Sequence, residues 1–300
     1  MALDAAAARL LAMLASAPND GVVAPTVRSR REALRGLAAL GADPRDERVT
    51  SEDMVGAGVP LRLYTPGQLR QGLIVYIHGG GWVAGDLDTH DGVCRALAAE
   101  SGAQVIAVDY RRPPENPFPA AVEDAADTID WARQTLQADR LVLAGDSAGA
   151  HVALCALGLL RTRGSPAPDL VLLFCPIVQV EPSYLSRRTF GQGYFVDQGQ
   201  FDQDVAAYRP ATDVALTSPM RADLSGYPPA LLHLAEYDPF RDEGLAYAER
   251  LSAADVPVQA FVHPGMIHYF YALPRLIPYA RKALAEAARQ ARSAMGDPSG

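Results

Sequence analysis

The chain has 300 residues, 49% of them apolar and 21% charged, with a formal net charge of −8. Such a length suits one large α/β domain, or a core domain with a modest cap, of ordinary globular composition. The acidic balance argues against a nucleic-acid or anionic-membrane partner, and no apolar stretch is long enough to span a bilayer.

Residues Met1 to Ala17 are rich in Ala and Leu but lack a basic start, and Asp4 and Arg9 interrupt the apolar run. Leu10, Leu11 and Leu14 fit one face of an amphipathic helix better than a signal peptide. A second helix is expected after the Pro18/Pro25 region. In it, Arg28-Ser29-Arg30-Arg31 reads as a solvated face opposite buried Leu34, Leu37 and Leu40. Arg48 to Val55 and Pro60 to Tyr64 flank Gly56-Ala57-Gly58, a hairpin signal.

Strand-like and helical runs then alternate. The expected strands are Leu73 to Ile77, Gln104 to Val108, Leu141 to Ala144, Leu170 to Phe174, Ala230 to Ala235 and Val258 to Val262. The expected helices are Thr89 to Ser101, Pro119 to Leu136, Ser147 to Arg161, Arg241 to Ala253 and Leu273 to Ala291. Alternation of this kind predicts a mostly parallel central sheet with helices on both faces, entered through an antiparallel hairpin. Val180 to Pro229 breaks the rhythm. It has no clear strand but carries Tyr184, Phe190, Tyr194, Phe195, Phe201, Tyr208 and Met220, as a functional insertion would. Cys94, Cys155 and Cys175 are odd in number and sit in apolar settings, which predicts buried free thiols and a cytoplasmic protein. The absence of C-x-x-C and H-E-x-x-H gives no support to a metal site, and no cofactor is expected.

Chemistry concentrates in two motifs. Gly145-Asp146-Ser147-Ala148-Gly149 joins a strand to a helix, the context of a nucleophile elbow, in which a tight turn projects the serine hydroxyl from the sheet edge. A serine needs a base to take its proton and donors for the developing oxyanion. His78-Gly79-Gly80-Gly81-Trp82 follows a strand, and its backbone amides can supply those donors. We assign Gly79 and Gly80, together with Ala148, to the oxyanion hole. Gly79-x-Gly81-x-x-Ala84 also fits a lax dinucleotide fingerprint with Asp109 as the ribose acid. That acid lies 30 residues on rather than about 20, and no helix starts at the second glycine. Of six histidines, His268 follows the last strand and its Pro264-Gly265 turn and is best placed to be the base, ahead of His263. The acid should follow the preceding strand, where Glu236, Asp238, Asp242 and Glu243 all qualify by spacing.

The chain resembles the hormone-sensitive-lipase-like bacterial carboxylesterases, members of the α/β-hydrolase superfamily. The resemblance rests on both motifs, on Gly85-Asp86-Leu87-Asp88-Thr89-His90, on Asp109-Tyr110-Arg111 with Pro117-Phe118-Pro119, on Ala235 to Glu243 and on Pro264-Gly265-Met266-Ile267-His268. It implies the α/β-hydrolase fold and a serine carboxylesterase in which Asp238 is the acid and His268 the base beside Ser147. It also implies a helical cap from residues 1–45 and 181–217 over a catalytic domain of 46–180 and 218–300. Arg112-Pro113-Pro114-Glu115-Asn116 stands where L-A-P-E-H is usual, and Tyr269 where glycine is common. Trp82, Phe190, Tyr194, Tyr208 and Ile267 are the expected substrate contacts, in a pocket suited to short-to-medium acyl chains. A small-molecule ester is the expected partner, and a homo-oligomer is compatible with this reading. The rivals are an amidase, lactonase or carbamate hydrolase with the same machinery, and a non-catalytic receptor, against which the intact His268 argues.

Overall fold

Residues 2–16, 26–181, 184–209 and 217–296 are described by a computed structural model. Pro18 and Pro25, expected to part the first two helices, lie outside them, as do 182–183 and 210–216 of the expected insertion. The chain opens with helices α1 (Ala5–Ala15) and α2 (Val27–Gly41). Asp4 and Thr26 cap them by accepting first-turn amides. Strands β1 (Val49–Gly56) and β2 (Val59–Pro66) form the hairpin. Ala57 and Gly58 both have positive φ, 51° and 81°, the conformation that a two-residue hairpin loop of matching twist requires.

There follow β3 (Leu73–Ile77), α3 (Asp91–Ser101), β4 (Gln104–Val108), α4 (Ala120–Thr135), β5 (Leu141–Asp146), α5 (Ser147–Arg163) and β6 (Leu170–Phe174). After them come α6 (Leu185–Phe190), α7 (Gln198–Tyr208), β7 (Ala230–Tyr237), α8 (Arg241–Ala253), β8 (Val258–Ile267) and α9 (Tyr279–Ala294). The strands make one sheet in the order β1-β2-β4-β3-β5-β6-β7-β8, parallel from β4 onwards. β3, β5 and β6 are buried along their whole length, which is why they read as continuous apolar runs. Val75 and Ile77 face a core closed by α4, α5 and α8, while Ile74 and Tyr76 face one closed by α3 and α9. Strand order reverses between β3 and β5, so the loops leaving these two strands open the crevice where α/β sheets bind ligands.

Three expectations need correction. The last helix begins at Tyr279 rather than Leu273, because Pro274 and Pro278 delay it and Phe270–Ala272 form a short 3-10 turn. Pro264-Gly265 is not a turn after the last strand. It is an irregularity within β8, where the register with β7 shifts and Gly265 takes φ 72°. The basic cluster of α2 is not merely a solvated face either. Arg30 pairs with Asp204 and Arg31 with Glu115, while Leu40, expected to be buried, is 49% exposed.

Candidate active site

Ser147 is the first residue of α5 and has φ 50°, a strained conformation for a residue with a Cβ. The elbow holds it there. A Cβ at Gly149 would overlap the carbonyl oxygens of Ile77 and His78, so only glycine lets α5 lie this close to β3. The Ser147 carbonyl accepts a hydrogen bond from the Ile177 amide at 3.2 Å. Across the sheet edge, His268 Nε2 is 2.9 Å from Ser147 Oγ, and His268 Nδ1 is 2.8 Å from Asp238 Oδ2. The other Asp238 oxygen accepts the Phe240 amide at 2.8 Å. All three side chains are buried.

The rival acids are engaged elsewhere. Glu236 accepts the Gly265 amide, Asp242 the Ser186 amide, and Glu243 forms a buried ion pair with Arg187. Of the rival histidines, His263 hydrogen-bonds His233 and Tyr279, and His151 contacts the Thr217 carbonyl, both away from Ser147. Cys175 Sγ lies within 4.8 Å of ligand-type atoms of Asp238 and His268, a trio that could in principle hold a metal ion. The Asp238–His268 hydrogen bond already joins two of its members. Burial, and then the Asp238 charge, push the Cys175 thiol well above its ordinary pKa, so it stays protonated.

One of the expected oxyanion donors, Gly79, is already engaged. The Gly79 amide donates to Asp146 Oδ1 at 2.9 Å, so it is not free to meet an oxyanion. Among the described residues, the Gly80 and Gly81 amides have no acceptor, and both residues line the cavity over Ser147. The Ala148 amide, in the first turn of α5, lies outside the helical ladder. The donors free to face a reacting carbonyl are therefore those of Gly80, Gly81 and Ala148.

Sequence reasoning also missed Asp146. Its buried carboxylate accepts from Tyr76 and Tyr271 hydroxyls, each at 2.8 Å, and from the Gly79 amide, and it faces His90 Nε2 at 3.3 Å. Burial alone would raise its pKa; His90 and the two tyrosines outweigh it and hold the carboxyl below its ordinary value. A second acidic residue beside the elbow serine is the signal that could have marked it.

A cavity of about 610 Å³ opens on Ser147 and His268. Its walls include Leu14 of α1, Leu34 and Leu37 of α2, Phe195 just before α7 and Phe201 within it. None of the five expected substrate contacts lines it. Trp82 and Tyr208 are fully buried and stacked on each other, with ring centroids 4.7 Å apart, and Ile267 is fully buried. Phe190 and Tyr194 pack against Tyr237 instead. Phe195, at φ 81°, stacks on Tyr269, which itself has φ 65° where the family commonly has glycine.

Comparison with known proteins fits this geometry. Residues 74–272 match the model of an α/β-hydrolase-fold family. The chain is 36% identical to carboxylesterase NlhH of Mycobacterium tuberculosis over 88% of its own length and 86% of the relative's. It is 34% identical to an ethyl acetate hydrolase of Pseudomonas putida, over 89% of each. Among solved structures, the ester hydrolase EH1AB1 from the Lake Arreo metagenome, complexed with a bipyridine phosphonate derivative, superposes with a TM-score of 0.90 at 33% identity, covering 98% of this chain and 100% of that one. The buried serine–histidine–aspartate relay at the edge of a mostly parallel sheet, and these similarities over nearly the whole chain, make it a member of the hormone-sensitive-lipase-like carboxylesterases of the α/β-hydrolase fold.

Proposed function

We propose that this carboxylic ester hydrolase works through Ser147, His268 and Asp238 on small esters of short-to-medium acids, by an acyl-enzyme route. The observation that carries this reading is the continuous chain from Ser147 Oγ through the His268 ring to Asp238. Ser147 Oγ bonds to the ester carbon as its proton passes to His268 Nε2, and the carbonyl oxygen takes the electron pair. The amides of Gly80, Gly81 and Ala148 receive that oxyanion. Collapse breaks the bond to the alcohol oxygen, which takes the proton from His268. Water then repeats the sequence on the acyl-enzyme, and the acid leaves as Ser147 regains its proton. Asp238 fixes the tautomer of His268 and stabilises the imidazolium.

Residues 1–45 and 181–217 act as a helical cap over a catalytic domain of 46–180 and 218–300. Support comes from the cavity, which α1, α2 and the stretch through α7 wall in above Ser147. Its modest volume suits small acyl groups, as does similarity to an ethyl acetate hydrolase. Among the described residues no helix is long and apolar enough to cross a membrane. Three buried free cysteines support a cytoplasmic location. A panel of p-nitrophenyl esters from acetate to palmitate, with matched anilides, tests the reading. An optimum between about C2 and C8 with little anilide cleavage is expected, since each buried CH₂ adds about 0.8 kcal/mol only while the cavity has room. A palmitate optimum or interfacial activation overturns the acyl assignment, and faster anilide cleavage points to an amidase.

A further inference from the structure

Three arginines of α2 bear on one short stretch of chain, the glycine loop and its continuation, Arg31 and Arg35 directly and Arg30 through Asp204 of α7. Arg30 Nη2 donates to Asp204 Oδ2 at 2.8 Å, and Nη1 binds the other oxygen. The Asp204 carboxylate is packed so closely on Gly81 that a Cβ there would overlap it. Arg31 Nε donates to the Val83 carbonyl at 2.8 Å, and its Nη2 reaches the Pro113 carbonyl at 3.1 Å. Arg35 pairs with Asp86 but is more than half exposed. The exposed pair contributes little, whereas the Arg30 and Asp204 side chains are 18% and 6% exposed.

Two simpler roles do not fit. Arg30 and Arg31 are not a solvated face, since each is held by partners distant in sequence. Asp204 and Arg30 also border the cavity, but both Asp204 oxygens are already bound by Arg30, and Gln200 approaches one of them at 3.4 Å. What the contacts do fix is the loop. Trp82 anchors it from below by stacking on Tyr208 of α7, the helix that also carries Asp204. The arginines fix it from α2. Immediately before the gripped residues lie Gly80 and Gly81, whose φ values of 120° and 61° only glycine adopts readily.

We propose that Arg30, acting through Asp204, and Arg31, acting through Val83, are positioning residues for the oxyanion loop. Docking of α2 holds the Gly80 and Gly81 amides where they meet the tetrahedral intermediate. The inference rests on the oxyanion role proposed above for those amides. Preorganised donors lose most of their effect when they are free to turn away, so release of the loop should act on the transition state and not on substrate binding.

Arg30→Met, Arg31→Met and the near-isosteric Asp204→Asn would be compared with Arg28→Met, whose pair with Glu32 is exposed. With p-nitrophenyl acetate, the first three should lower kcat about tenfold or more while KM stays within about threefold, and Arg28→Met should match wild type. The second readout is inhibition by an aryl trifluoromethyl ketone. Ser147 Oγ adds to its carbonyl carbon, the proton moves to His268, and the ketone oxygen becomes an oxyanion. Its Ki should rise in proportion to the loss in kcat/KM, while Ki for the corresponding alcohol stays constant. A raised KM with unchanged kcat, or wild-type ketone affinity in all three variants, overturns the inference. If wild type itself binds ketone no tighter than alcohol, the oxyanion role of the loop is what fails. Far-UV melts separate any variant that does not fold, and Asp204→Asn, the smallest change, decides in that case.

Discussion

His268 Nε2 stands 2.9 Å from Ser147 Oγ although 121 positions separate them in the chain. Parallel strands close that gap: β5 ends at the serine, and β7 and β8 deliver the aspartate and the histidine to the same edge. Ser147→Ala, His268→Ala and Asp238→Asn should each lower kcat on p-nitrophenyl acetate by about three to four orders of magnitude in folded protein. Asp242→Asn, which among the described residues contacts the start of α6 and Arg241, should stay within about tenfold of wild type. If Asp242→Asn proves the more damaging, the acid has been misassigned.

Phe195 and Tyr208 should respond in opposite ways. Phe195 lines the cavity and Tyr208 is packed on Trp82 beneath it. Phe195→Ala should raise the ratio of octanoate to acetate kcat/KM with little change in Tm. Tyr208→Ala should cost about 3–5 kcal/mol in urea unfolding, as large buried rings do. A Tyr208→Ala protein of normal stability with an altered acyl profile would reverse the two roles.

Asp146→Asn should be costly to the fold. An amide presents N–H₂ where the carboxylate accepts from two tyrosines and the Gly79 amide, leaving donors facing a donor. Breaking such a buried, charge-assisted set should cost about 3 kcal/mol or more by denaturant unfolding. Stability within about 1 kcal/mol of wild type would show that the network is replaceable.

Acid should destabilise the protein well above the carboxylate range. Desolvation lowers His78 and His233 to about 3, and His151 and His263 to about 4. In the unfolded chain these groups titrate near about 6.5, so below that pH the unfolded state takes up protons that the folded state refuses. Their contribution is present above about 6.5 and is lost as pH falls toward their folded values. Glu243, raised to about 7 by burial, and Asp204, raised to about 6, act in the opposite direction. Four histidines against two carboxyls leave a net loss of stability, at about 1.4 kcal/mol per pH unit for each excess proton. Thermal melts at pH 7.5, 6 and 5 should show a falling Tm; a constant or rising Tm would contradict the balance.

The fold was legible because β3, β4 and β6 are short apolar runs bounded by turns, and their limits were read to the residue. Motif chemistry led directly to the places where Ser147 and His268 meet. Spacing left four carboxylates open, because the choice depends on which of them β7 carries past the sheet edge; family resemblance singled out Asp238. That the Gly79 amide is taken up could not be read from the motif, because its acceptor, Asp146, is 67 residues away in sequence. The cavity walls were the least legible part. Phe195 lines the cavity and stacks on Tyr269 while its neighbour Tyr194 packs on Tyr237, and the burial of Trp82 depends on its stacking on Tyr208. Both are tertiary facts with no local pattern.

Asp146 has one more effect. It carries a full negative charge beside the serine, fixed by hydrogen bonds and shielded from water, and it borders the cavity in which the ester must lie. Two like charges about 6 Å apart repel by roughly 3 kcal/mol at an effective dielectric of 20. Methyl butyrate against the monomethyl ester of succinate, similar in length but differing in charge, would measure the discrimination. The fixed anion should make the cavity favour neutral esters over acidic half-esters, unless Arg30 in the same wall offsets it.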